Sequence, residues 1–218
     1  MYVGLTGTIA SGKSTTAKIF EDYGALTIDL DKISRSLIER GTPAYNKIVN
    51  AFGNTILSGE DIDKKKLRNL IFNDKNKRVI LESILHPLIR AEEKKMVNYI
   101  NKTHKNPIII VHAALLIETE SYKRFDTLIV VYADEKKCYE RLIKRDNTSK
   151  DLACAMINAQ LSVNKKLSYA NFIIDNSQDI HHLKDEVERV YSTLFIFEKT
   201  KKLLKKYNNI PTTYYKCI

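Results

Sequence analysis

A chain of 218 residues, 44% of them apolar, can bury the core of one α/β domain with a small appended unit. No apolar run approaches the roughly 18 residues of a membrane span. Its three cysteines, Cys138, Cys154 and Cys217, form no C-x-x-C pair, which argues against a disulfide framework or zinc site and for reduced thiols. The net charge of +10 leaves two partner classes open, nucleic acid and highly anionic small molecules.

Residues 2–6 read as a short apolar strand, and Gly7-Thr8-Ile9-Ala10-Ser11-Gly12-Lys13-Ser14 follows at once. That is G-x-x-x-x-G-K-S, a phosphate-binding loop. Glycines let successive backbone N–H groups curl inward onto phosphate oxygens, Lys13 brings a compact charge, and Ser14 can ligate magnesium. Residues 14–23 carry apolar side chains at helical spacing, so the loop opens a helix whose positive end favours an anion. A nucleotide motif beginning at residue 7 leaves no room for a presequence, and a cytoplasmic location is expected.

A second strand is expected over 25–28, running into Ile28-Asp29-Leu30-Asp31. Carboxylates at a strand's carboxyl end face the crevice where open α/β sheets bind ligands. One can take a proton from an acceptor hydroxyl while the other helps hold hydrated magnesium. Equally, Asp31 can cap a helix beginning near Lys32. From there to the third strand, only helical patterns are expected, at 43–52, 64–72, 75–85 and 88–101, with no strand. Pro87 is expected to stop one helix and start the next. Arg90 then lies one turn in, free to fork onto a phosphate or to form a surface salt bridge, and His86 suits an interhelical hydrogen bond.

Further strands are expected over 107–112, 127–132 and 171–174. Residues 141–167 read as a polar, helical lid, with Arg141 and Arg145 on one helix face as solvated charges or as clamps on a transferring phosphoryl group. Residues 180–207 read as one long helix or two abutting ones, and the lysines at 199, 201, 202, 205 and 206 as its solvated face. Strands alternating with helices predict an α/β, P-loop NTPase-like three-layer fold. It has a five-stranded, mostly parallel sheet, a core of 1–40 and 105–200, a helical insertion at 41–104, and the lid.

The chain lacks the N-K-x-D of guanine-specific GTPases and the Asp-Arg dipeptide after the third strand. That strand ends in His112-Ala113-Ala114 rather than aspartate. Elimination leaves a small-molecule kinase with a helical acceptor domain. Two rivals are a nucleoside or nucleotide kinase of the same core, and a nucleotide sensor that grips nucleic acid. The basic residues lack the interleaved aromatics of a single-strand binder.

From Leu5 to about Ser177 the chain resembles the dephospho-coenzyme A kinase family. The resemblance rests on the loop, Asp29-x-Asp31, Leu67 to Phe72 followed by His86-Pro87-Leu88-Ile89-Arg90, Leu115-Leu116-Ile117-Glu118, and the series Arg145-Asp146, Gln160, Ile174-Asp175-Asn176-Ser177. It implies transfer of the γ-phosphoryl group of ATP, with Mg2+, onto the ribose 3′-hydroxyl of dephospho-CoA, the final step of coenzyme A biosynthesis. It implies Asp31, Lys13 and Arg141 as catalytic residues. ATP would be held by Gly7, Ala10, Ser11, Gly12, Lys13, Ser14, Thr15, Arg141 and Arg145, and magnesium by Ser14 and Asp29. The acceptor side would comprise Asp29, Asp31, His86, Arg90 and Leu115. No nucleic-acid or membrane partner is implied, and the chain is expected as a monomer or weak homo-oligomer. Thr8 and Ala10 stand where the family usually has glycine, Ile117 where it has phenylalanine, and Lys64 where arginine is common. The tail after Tyr207, with Tyr214 and Tyr215, has no counterpart in the resemblance.

Overall fold

Five parallel strands in the order β2-β5-β1-β6-β7 organise the larger part of the molecule. The computed structural model describes residues 1–72 and 74–207, and for residues 72 and 202–207 the backbone alone. The side chains of Lys202, Lys205 and Lys206, and residues Tyr214, Tyr215 and Cys217, lie outside that description. The chain divides into two compact units, Met1–Thr27 with the chain from His104 onward, and Ile28–Thr103.

The first unit opens with β1 (Tyr2–Gly7) and α1 (Lys13–Asp22), and β2 (Leu26–Asp29) carries the chain into the second. The second unit holds α2 (Leu30–Leu37), α3 (Pro43–Phe52), β3 (Leu57–Ser58), β4 (Asp61–Ile62), α4 (Lys64–Phe72) and α5 (Lys75–Thr103). The chain returns to the first unit with β5 (Ile109–His112), β6 (Thr127–Tyr132), α6 (Glu135–Asp146), α7 (Lys150–Asn158), α8 (Val163–Leu167), β7 (Phe172–Asp175) and α9 (Ile180–Tyr207).

In the first unit, β1 lies between β5 and β6, with Val3 opposite Ile110 and Leu5 opposite Ile129; Val131 opposes Ile174 across β6 and β7. Every residue of β5 is buried, as a parallel strand covered on both faces requires. Val3, Leu5, Phe20, Ile110, Ile129, Ile174, Val187 and Leu194 form one core that joins the sheet to α1 and α9. The last helix is a single element.

The second unit has its own core of Ile38, Ala44, Ile48, Ile56, Ile62, Leu67, Leu81 and Leu85. Two expectations fail here. A small antiparallel hairpin, β3 and β4, occupies a stretch where no strand is expected. Each arm has two residues, too short to show a period of two, and the turn uses Gly59 at φ 61°. The second failure concerns Pro87, which lies inside the single helix α5 rather than at a break. Proline removes the hydrogen bond that residue 87 would donate to the Ser83 carbonyl, at a cost of about 3 kcal/mol. Leu81 and Leu85 before it, and Leu88 and Ile89 after it, pack on the same core, and that burial carries the helix through. Pro87→Ala is therefore expected to raise unfolding free energy by about 1–3 kcal/mol in a denaturant titration. A lower midpoint would mean that the packing depends on the proline.

Candidate active site

In the first unit, the loop between β1 and α1 is curled by its own backbone, with Ser11 N–H donating to the Thr8 carbonyl at 3.1 Å. Ala10 sits in the left-handed region at φ 61°, a conformation that glycine adopts without strain and alanine does not. Thr8 is buried, and its hydroxyl lies 3.7 Å from the Cys138 sulfur. Both departures from the family loop are thus accommodated locally, one by strain and one by a pocket wall.

Gly12 is the N-cap of α1 at φ 96°, with no side-chain cap and no acidic residue in the first turn. The first N–H groups of the helix therefore face outward with the positive end of its dipole, a ready anion site. Asn176, directly after β7, donates from Nδ2 to the Ser11 carbonyl at 2.7 Å. A Cβ at Gly12 would stand 2.0 Å from that nitrogen, so a side chain there requires Asn176 to move. The Lys13 ammonium folds over the loop, donating to the carbonyls of Thr8 at 2.9 Å and Gly7 at 3.3 Å. Ser14 and Thr15 are exposed at the start of the helix.

Arg141, on α6, donates from Nη2 to the Asn176 carbonyl at 3.1 Å. Among the described residues, its Nη1 and the Ser11 hydroxyl are buried without a hydrogen-bond partner. Buried donors left open in this way suit an anion that supplies several acceptor oxygens. Arg145 is turned differently, forking onto Asp146 at 2.7 and 3.1 Å. Leu115, after β5, is 42% exposed, while Leu116 and Ile117 are buried.

In the second unit, Asp29 accepts the Lys32 N–H at 2.8 Å and is the N-cap of α2. The capping role therefore falls to Asp29, and Asp31 stands exposed in the first turn. His86 and Arg90 are four residues apart on the continuous helix α5 and share a face, half-buried and exposed respectively.

Three side chains hold the loop from behind, and of these the sequence pointed to Asn176 and Gln160 only through motif likeness. Gln160 accepts the Ile9 N–H at 2.8 Å. Lys166, on α8, is fully buried and bonds the Ala114 carbonyl at 2.7 Å, the Glu118 carboxylate at 2.8 Å and the Gly7 carbonyl at 3.5 Å. Burial pulls the Lys166 ammonium below the usual lysine range, against the opposing pull of Glu118. One signal was available: Lys166 falls between Val163 and Leu167 on the apolar stripe of its helix, where a charge is out of place.

A parallel sheet whose first strand ends in an anion-binding loop, with an arginine and an uncapped helix beside it, defines a P-loop NTPase-like enzyme of the α/β class. A family model described as dephospho-CoA kinase matches residues 1–182. The chain belongs to that family, whose reaction is the ATP-dependent phosphorylation of dephospho-CoA in the final step of coenzyme A biosynthesis. A dephospho-CoA kinase of Aquifex aeolicus is 38% identical over 88% of this chain and 96% of its own length. One from Oceanobacillus iheyensis is 38% identical over 87% and 96%. The solved dephospho-CoA kinase of Campylobacter jejuni is 29% identical with a TM-score of 0.63, covering 88% of this chain and 96% of that one. A solved protein of Thermus thermophilus, at 24% identity and the same coverage, has the same fold with a TM-score of 0.75.

The close approach at Gly12 makes a direct prediction. Gly12→Ala must displace Asn176, and affinity for an ATP analogue measured by calorimetry is expected to fall about tenfold or more, or at least 1.4 kcal/mol. Near-normal affinity would show that Asn176 moves freely.

Proposed function

We propose that the Gly7–Ser14 loop holds the β- and γ-phosphates of ATP and that Asp31 is the base that receives the acceptor's proton. The observation that carries the donor half is the uncapped start of α1, together with the open buried donors on Ser11 and Arg141. Their geometry calls for a ligand rich in anionic oxygens, and a triphosphate is one. The acceptor half is supported by the division of labour at the end of β2. Asp29 accepts the Lys32 N–H as the N-cap of α2, and Asp31, in that helix's first turn, presents an exposed carboxylate.

In this reading, the ribose 3′-oxygen of dephospho-CoA bonds to the γ-phosphorus as its proton passes to the Asp31 carboxylate. The bond from the γ-phosphorus to the β–γ bridging oxygen breaks, and ADP leaves with the negative charge. Lys13 and Arg141 neutralise charge on the transferring group, and Arg145 joins them when the lid, 141–167, closes. Loop N–H groups from Gly7 through Thr15 orient the phosphates. The hydroxyl of Ser14 and a carboxylate oxygen of Asp29 are hard oxygen donors that would hold Mg2+, which would supply neutralisation of phosphate charge. The helical insertion, 41–104, takes the acceptor. Arg90 reaches its diphosphate, His86 stands beside it, and exposed Leu115 offers an apolar contact to the coenzyme precursor. No helix among the described residues is long and apolar enough to cross a membrane. We assign the enzyme to the cytoplasm as a monomer or weak homo-oligomer acting on small molecules.

The test is steady-state kinetics with ATP across dephospho-CoA, nucleosides and nucleoside monophosphates. Dephospho-CoA is expected to be the preferred acceptor, and strong turnover of a monophosphate alone would overturn the acceptor assignment. Lys13→Ala is expected to abolish turnover while leaving the thermal transition near that of the parent. Asp31→Asn is expected to lower kcat by about 10²–10⁴ with little change in KM for ATP. Retained turnover in that variant would remove Asp31 as the base.

A further inference from the structure

We propose that Lys166 is a positioning residue for the phosphate loop, its ammonium paired with Glu118 and tied to the carbonyls of Gly7 and Ala114. It sets the direction of the loop's N–H groups without touching the nucleotide, and the assignment rests on the reading that this loop holds ATP. Lys166 is 0% exposed, and its Nζ donates to Ala114 O at 2.7 Å and to Gly7 O at 3.5 Å, with Glu118 Oε1 at 2.8 Å. The same Glu118 oxygen accepts the Leu161 N–H at 3.1 Å. The loop's first carbonyl, the turn after β5 and the segment leading into α8 therefore meet at one ion pair.

Stability alone does not require this arrangement. A buried ion pair is commonly no better for folding than apolar side chains of the same shape. The Glu118 carboxylate is also incompletely satisfied, because its Oε2 is buried without a hydrogen-bond partner among the described residues. What the pair supplies that an apolar pair cannot is a donor aimed at two backbone carbonyls. One of these belongs to Gly7, where no side chain could intrude: a Cβ there would lie 2.5 Å from the Val131 carbonyl oxygen and 2.7 Å from the Ser11 hydroxyl. A ligand site needs its donors held within a fraction of an ångström. In metal sites, losing the residues that orient the ligands costs about 10–100-fold in affinity, and a loss at the lower end of that scale is expected for this loop.

The test compares Lys166→Met, Glu118→Gln and the double variant, reading thermal unfolding and calorimetric affinity for a non-hydrolysable ATP analogue. KM for each substrate is measured alongside. Lys166→Met alone leaves the Glu118 charge buried without its cation, so it is expected to lose both stability and affinity. The double variant removes that charge and is expected to recover most of the melting temperature while still binding the analogue about tenfold more weakly. Its KM for dephospho-CoA is expected to stay within roughly twofold of the parent. A double variant that binds the analogue as the parent does overturns the proposal. So does one that fails to fold, since that outcome assigns the pair to structure. Lys13→Ala, run in parallel, separates the two levels: nucleotide affinity retained there would overturn the loop reading itself, whatever Lys166 does.

Discussion

Five residues between β1 and α1, Thr8 to Gly12, must curl without a sheet ladder or a completed helix to hold them if the loop's N–H groups are to be directed at a ligand. A backbone that spends its donors outward has to be held through its carbonyls and its remaining amides. Side chains far along the chain do this. Asn176 takes the Ser11 carbonyl, Gln160 the Ile9 N–H, and Lys166 the Gly7 carbonyl. Each net hydrogen bond contributes about 0.5–1.5 kcal/mol, and those from charged groups about 1.5–3. Their greater effect is geometric. The parallel sheet makes it possible, since β1, β6 and β7 lie side by side and their carboxyl ends bring these segments to one place.

Charge is concentrated at the same place. Lys13, Arg141 and Lys166 all bond carbonyl oxygens of the loop or of the segments that abut it. Lys166 pairs there with the Glu118 carboxylate. Among the described residues, one buried nitrogen of Arg141 has no hydrogen-bond partner. Cations gathered at a partly buried site suit an anionic ligand such as the triphosphate proposed above. The net charge of +10 is consistent with that cluster, while most of the remaining described lysines are exposed and add little to the fold.

Much of the architecture was legible in local pattern. The strands β5 and β6 are built on continuous runs of Ile, Val and Leu, and their burial follows from that composition. The helical insertion misled at two points for a shared reason. A two-residue β arm is too short to carry a periodic signal, and a proline stops a helix only when tertiary packing does not outweigh the lost hydrogen bond. At Pro87 the leucines on either side bury against one core, and α5 continues.

The sequence by itself determined the phosphate loop, the parallel α/β order and the pair Asp29-x-Asp31. Each is a local pattern: a glycine spacing, a hydrophobic run, two carboxylates at a strand's end. It left open which aspartate caps α2, since both lie within reach of the first turn; the backbone path chose Asp29. Nor did it assign any role to Gln160, Lys166 or Asn176, which stand 151, 159 and 165 residues from their loop partners. Their hydrogen bonds exist only once the sheet has brought distant segments together. For that reason the tertiary structure alone decided how the loop is held, although the sequence had already announced that it was there.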